Sequence, residues 1–373
     1  MRSQNAAERK NWPWEVKCVL NLTTASGMQQ RKLRAWLTNP KYLMVFATLG
    51  IFLLIYTFGA VLYGSKGFTS LRTFMLLFSD NAYIGISAVG MTLVLISGGI
   101  DLSVGAVASL TGMIIAYGTT VMGFHPLVCI AFAIFVGVGL GMLMGACIQY
   151  LNVPPFITTL TGMFFARGVC SLISRESISI KNSMIDALAG FKVYLLWPND
   201  AGEWVKIKPV ASIDLNTIAF VVIIIIGAII LQKTRFGRNV YAIGGNEQSA
   251  NLMGLPVART KVMVYSFNGL CSVLAGISYT LYVKSGWNLS LSGAELDVIS
   301  CCVIGGVMLS GGVGYMVGTL FGVLLKATIP AIITFNGSMN SWWAKIFTSV
   351  LLLLFIVIQR GVIASSLRTR KKE

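Results

Sequence analysis

Titratable side chains are scarce in this chain, and their scarcity removes whole classes of function. Only 11% of the 373 residues are charged, 13 of them Asp or Glu, and His125 is the one histidine. That histidine has no nucleophile or metal ligand at a working spacing, so neither a catalytic triad nor a zinc site assembles around it. The glycine-rich stretch GGNEQSANLMG (244–254) lacks the Gly-Lys-Ser/Thr that cradles nucleotide phosphates and magnesium. Cysteines number 7 and follow no framework or ligand spacing; Cys129, Cys147, Cys170, Cys271, Cys301 and Cys302 fall in apolar runs, where cysteine behaves as a small hydrophobe. The expectation is a chain with no catalytic residue, no metal and no cofactor of its own.

Apolar residues are what it has. They make up 55% of the chain, with a mean hydropathy of +0.77, more than a soluble core can hide. This describes an all-α polytopic membrane protein. A net charge of +16 would suggest nucleic acid in a soluble protein, but the cations collect in the two tails and around Arg238, where topology explains them. Residues 1–42 form a basic tail with no apolar stretch long enough for a signal peptide, and an interfacial helix is expected near 12–22.

Runs of roughly 20 apolar residues mark spans at about 43–64, 74–96, 102–122, 126–150, 155–174, 215–231, 262–283, 294–309, 313–334 and 342–359. The expected total is about ten, within a membrane domain of 43–360. An even count puts both termini on one side, and the positive-inside rule makes that side cytoplasmic for the N-tail, the basic loop 233–261 and the C-tail 361–373. The polar segment 175–214 is then periplasmic. In the fourth span Gly137, Gly141 and Gly145 recur every fourth residue, a smooth stripe for close helix contact.

The basic loop contains a helix signal: Asn246 to cap, Glu247 for the first turn, Gly254 for a left-handed close and Pro256 as a stop. Ala250 and Met253, three apart, give it a small apolar spot suited to docking. A plain positively charged connector would carry the same cations without the helix.

Two interrupted regions match at identical spacing. Ser97-Gly98-Gly99-Ile100 with Val104-Gly105 parallels Ser310-Gly311-Gly312-Val313 with Val317-Gly318, which predicts an internal repeat, parallel or inverted. Glycine pairs at membrane depth free backbone groups that must line a cavity or be satisfied by protein. Ionisable residues within spans are functional candidates by default: Asp80, Asp101, Arg167, Glu295, Asp297 and Lys326. Asp101 either caps the third span or faces a transport path. Asp80 and Asn81 offer acceptors to a hydroxyl-rich cargo, Glu295 and Asp297 either contact cargo or begin a solvated helix, Arg167 is expected to pair with an acid, and Lys326 to snorkel to an interface.

SGGIDLSVGAV (97–107), TRFGRNVYAIGGNEQSANLMGL (234–255) and GAELDVISCCVIGGVMLSGGVGYMVGTLFG (293–322) resemble the ribose/monosaccharide branch of bacterial ABC-importer permeases. The resemblance runs from about 43 to 360; with 163–180 and 341–361 included, the pattern is most similar to permeases of galactofuranose importers. It implies a type II-like importer permease in the inner membrane, moving a monosaccharide, with ATP and magnesium held by a separate cytoplasmic ATPase. It also implies a second permease subunit as a paralogous partner, a periplasmic sugar-binding protein, and no nucleic acid. The coupling helix maps to Gly244, Gly245, Asn246, Glu247, Ala250, Met253, Gly254 and Leu255. Asn81, Asp101, Phe156, Phe164 and Trp287 become candidates for the sugar path, the aromatic ones because a ring covers the apolar face of a sugar. Gly98, Gly99, Gly311 and Gly312 become gating glycines. The rival expectation is an ion-coupled secondary sugar transporter, in which Asp80, Asp101 or Glu295 would bind the ion. Two features depart from the family pattern: the long basic N-tail, and Cys301-Cys302 where small residues such as alanine are commoner.

Overall fold

A computed structural model of the protein describes residues 40–194, 196–198, 204–206, 211–338, 340 and 342–370. The expected helix at 12–22 lies outside them. The chain is mostly helical, and among the described residues six helices are long and apolar enough to cross a membrane, or seven if a bent pair is one span. These are α1 (Pro40–Tyr63), α5 (Pro126–Tyr150), α6 (Pro155–Ile173), α8 (Leu215–Lys233), α11 (Val257–Val283) and α13 (Met316–Asn336); α2 (Leu71–Ser79) and α3 (Ala82–Ile96) meet at 53°. Two expected spans form shorter helices, α4 (Val104–Thr120) and α12 (Ala294–Ile304), and α14 (Trp342–Arg370) runs on through most of the expected C-tail.

The chain is not purely helical. In the polar segment after α6, a small helix α7 (Ser183–Gly190) is accompanied by strands of two or three residues: β1 (Ile178–Ser179) pairs with β6 (Ser285–Gly286), β2 (Lys192–Tyr194) with β5 (Ser212–Asp214), and β3 (Leu196–Pro198) with β4 (Trp204–Lys206), all antiparallel. Extended segments satisfy one another's backbone groups where no helix does so.

At the centre stands α11, and small residues explain how closely its neighbours approach. On α5, Gly137 lies against Val273, Gly141 against the Tyr265 backbone and Gly145 against Val262, so the stripe read from the sequence is the α5–α11 seam and the two helices run oppositely. Every residue of α3 except Tyr83 is buried, as a helix apolar on all sides must be. It runs against α11, with Tyr83 beside Tyr279 and Gly90 beside Asn268. By contrast α4 runs with α11, from Asp101 at Asn268 to Gly112 at Thr280.

The connection after α11 turns back into the bundle along α4. Gly286 sits on the Gly112 carbonyl, Ser109 donates to the Ser290 carbonyl, and Leu291 reaches Gly105. There α12 starts, so it begins deep inside and runs to the opposite end, with Asp297 beside Lys326, Cys301 beside Gly322 and Gly305 beside Gly318 on the returning α13. The N-termini of α4 and α12 therefore meet inside the bundle. Their positive dipole ends are complemented by Asp101, just before α4, and by Glu295 and Asp297 in the first turn of α12.

Candidate functional site

Three backbone segments converge at one end of the bundle. The hairpin between α3 and α4 turns at Gly98, whose φ is +83°, and the turn before α13 has Gly311 at +82° and Gly312 at +74°. Only glycine adopts these angles freely. The Gly312 N–H donates to the Ile96 carbonyl at 2.8 Å, and a Cβ on Gly311 would stand 2.9 Å from the Gly98 Cα. The third segment is the end of helix α9 (Arg235–Gly245), where a side chain on Gly244 would collide with the Ile96 carbonyl oxygen and stand 2.6 Å from the Gly312 nitrogen. Tyr241 Oη of α9 donates to the Gly314 carbonyl at 2.6 Å. The matched glycine motifs are thus in contact with each other and with the basic loop.

That loop is built as two helices. The sequence reading missed α9, although Phe236, Val240 and Ile243 follow a helical period; Val240 and Ile243 are buried and Phe236 packs on the core. Then α10 (Glu247–Leu252) follows, with Asn246 Oδ1 accepting from the Ser249 N–H at 2.7 Å, Glu247 in the first turn, and Gly254 left-handed at φ +74°. Glu247 pairs with Lys261 at 2.5 Å. The expected apolar spot needs correction. Ala250 is buried in a small cluster with Ile243 and Val257, and Leu255 packs on it; the outward apolar pair is Leu252 and Met253, 84% and 69% exposed. Gly244 is likewise part of the inner junction, whereas Gly245 and Asn246 are exposed.

Two polar cavities flank the junction. One of about 650 Å³ is lined by Gln232, Lys233, Arg238, Tyr241 and Gly312 to Tyr315. The other, about 330 Å³, is lined by Gly98, Gly99, Asn152, Glu247, Lys261 and Tyr265 among others.

Of the acids, Asp101 is fully buried, and both its oxygens are engaged. Oδ1 accepts from the Ser103 N–H at 2.7 Å and from Ser103 Oγ at 2.6 Å, and Oδ2 accepts from Asn268 Nδ2 at 2.7 Å. This is an Asx turn closing the break before α4, with Asn268, a residue the sequence reading passed over, as its buried partner. Asn81 donates to the Leu77 carbonyl and Asp80 is exposed. Glu295 Oε2 is buried against Gly105 and has no hydrogen-bond partner among the described residues.

Arg167 and Lys326 both depart from expectation. Arg167 forms no ion pair among the described residues; its Nη1 clamps the inward-turning loop through the Asn288 and Ser290 carbonyls, at 2.5 and 2.7 Å, and Ser109 Oγ at 3.0 Å. Lys326 does not snorkel. It is buried halfway along α13 and pairs with Asp297 at 3.0 Å. Phe156 and Phe164 stand half-exposed on α6, Trp287 is 40% exposed beside β6, and none of the three borders the polar cavities.

Sequence comparison finds relatives over most of the chain. The family described as "Branched-chain amino acid transport system / permease component" matches residues 73–356. The chain is 41% identical over 320 residues to the inner membrane ABC transporter permease protein YjfF of Escherichia coli K12, covering 86% of this chain and 92% of that protein. It is 34% identical over 345 residues to the fructose import permease protein FruG of Bifidobacterium longum, covering 92% and 98%, and 31% identical over 327 residues to the ribose import permease protein RbsC of E. coli K12, covering 87% and 94%. No solved structure matches the chain.

Proposed function

The chain belongs to the permease-component family of ABC transporters, and from that premise we propose that it is the membrane subunit of an ATP-driven importer carrying a monosaccharide across a bacterial inner membrane by alternating access. It is a permease and not an enzyme; ATP is hydrolysed by a separate subunit. The cargo in this reading is galactofuranose or a similar furanose or pentose, in keeping with the names of its sugar-importing relatives. The glycine hairpins α3–α4 and α12–α13 are a parallel internal repeat, supported by the equal φ of Gly98 and Gly311 and by the common direction of α4 and α13. With α1, α5, α6, α8, α11 and α14 they give ten passes. Both termini and the α9–α10 end face the cytoplasm, and the strand-bearing end faces the periplasm and its sugar-binding protein.

One observation carries the reading. Leu252 at the end of α10 and Met253 just after it project into solvent, while α9, one residue before α10, locks its last turn into the glycine junction. An ATPase seated on α10 would push on the place where both hairpins turn. The pore itself is completed by a second permease subunit, a paralogue, and the ATPase supplies bound ATP and magnesium.

Uptake of labelled galactofuranose into vesicles tests this, with ribose and fructose as competitors. Uptake that requires the ATPase, a second permease and a binding protein is the expected result. Uptake by this chain alone on an ion gradient would overturn the proposal.

A further inference from the structure

Charged and phenolic groups line one partly open strip of the bundle, from its strand-bearing end to mid-depth. At its mouth stand exposed Asp80, at the α2–α3 bend, and Tyr282, 53% exposed near the end of α11. One turn deeper, the rings of Tyr83 and Tyr279 meet edge to face with centroids 5.1 Å apart. Asp80, Tyr282 and Asp297 all lie within electrostatic reach of Tyr83. The strip ends at the Asp297–Lys326 pair, 3.0 Å long, in which Lys326 is enclosed but the Asp297 side chain is 40% exposed. Lys326 is ten residues from either end of α13, about 15 Å at 1.5 Å per residue. A half-exposed carboxylate at that depth does not face hydrocarbon.

Resting on the importer reading, we propose that Tyr83, Tyr279 and Asp297, the last held from behind by Lys326, form a cargo-contact wall of the translocation path, built for an uncharged polyhydroxylated molecule. The chemistry suits that class. Asp297 accepts from sugar hydroxyls, and the enclosed Lys326 cancels its charge, so the pair carries no net charge to hold an ionic cargo. The paired rings offer an apolar face to sugar C–H groups.

The test uses the complete importer in membrane vesicles, with Asp297→Cys and Tyr83→Cys probed by a membrane-impermeant thiol reagent over the wild-type background. Labelling that labelled galactofuranose or ribose slows is expected. No labelling in any nucleotide state would mean that the strip is sealed against lipid or the second permease, and labelling indifferent to sugar would mean a water-filled wall without cargo contact; either overturns the proposal. In parallel, Asp297→Asn and Tyr279→Phe, checked for assembly by co-purification with the ATPase, are expected to raise KM for the sugar about tenfold. Unchanged KM in an assembled variant sinks the wall alone, whereas a wild-type importer that moves no sugar with ATP sinks the importer reading.

Discussion

Asp101 shows how one buried carboxylate holds a helix break. Three donors converge on it, from Ser103 and Asn268, and neither oxygen is open to a passing ligand. Asp101→Ala leaves these donors buried and unpaired, at about 1–3 kcal/mol each; a lower thermal midpoint in detergent is expected, with Asp101→Asn losing less because it retains an acceptor. Gly244 predicts a different defect. A β-carbon there collides with the Ile96 carbonyl and parts α9 from the hairpin turns, while α10 stays capped by Asn246. In Gly244→Ala, the ATPase still binds but uptake falls by about tenfold, equivalent to about 1.4 kcal/mol; parallel measurement of ATP hydrolysis and transport separates coupling from folding. The sequence marked Asp101 as special because it follows a glycine pair, but its partner Asn268 lies 167 positions away, and only the fold brings them together.

Among elements, the α5–α11 seam was legible because a four-residue glycine spacing admits one physical use, close helix contact. Gly141→Leu forces α5 off the Tyr265 backbone, costing about 1–3 kcal/mol as overpacking, and is expected to lower folded yield in membranes. The α9–α10 unit was half legible. Caps and closing glycine are local features and stood out, whereas the facing of Ala250 and Met253 depends on what α10 rests on. Ala250 turned inward onto Ile243 and Val257, leaving the outward position to Leu252. Likewise Arg167 and Lys326 were recognisable as costly cations, but the inward-turning loop that gives Arg167 its carbonyls has no signature in local sequence.

For the molecule as a whole, apolar runs sufficed to recognise a multi-pass protein, and the matched glycine motifs marked two breaks in those runs. What pattern could not supply was their meeting at the end of α9, since the glycines there touch backbone to backbone and the residues that meet lie far apart in the chain. If α10 is the dock, Leu252→Asp with Met253→Asp abolishes co-purification of the ATPase while size-exclusion behaviour of the permease is retained, because both side chains stand outside the packed structure.

The brevity of α12 bears on how the chain is made. Eleven residues span about 16 Å, roughly half the hydrocarbon thickness, so the insertion machinery has no free-standing segment to release sideways into lipid. α12 is expected to enter together with α13, as a helical hairpin that packs on α3 and α4, already made, and on α14, made last. A nascent chain halted before α13 emerges is expected to hold Glu295 and Asp297 outside the bilayer, where a membrane-impermeant reagent would reach cysteines placed at those positions.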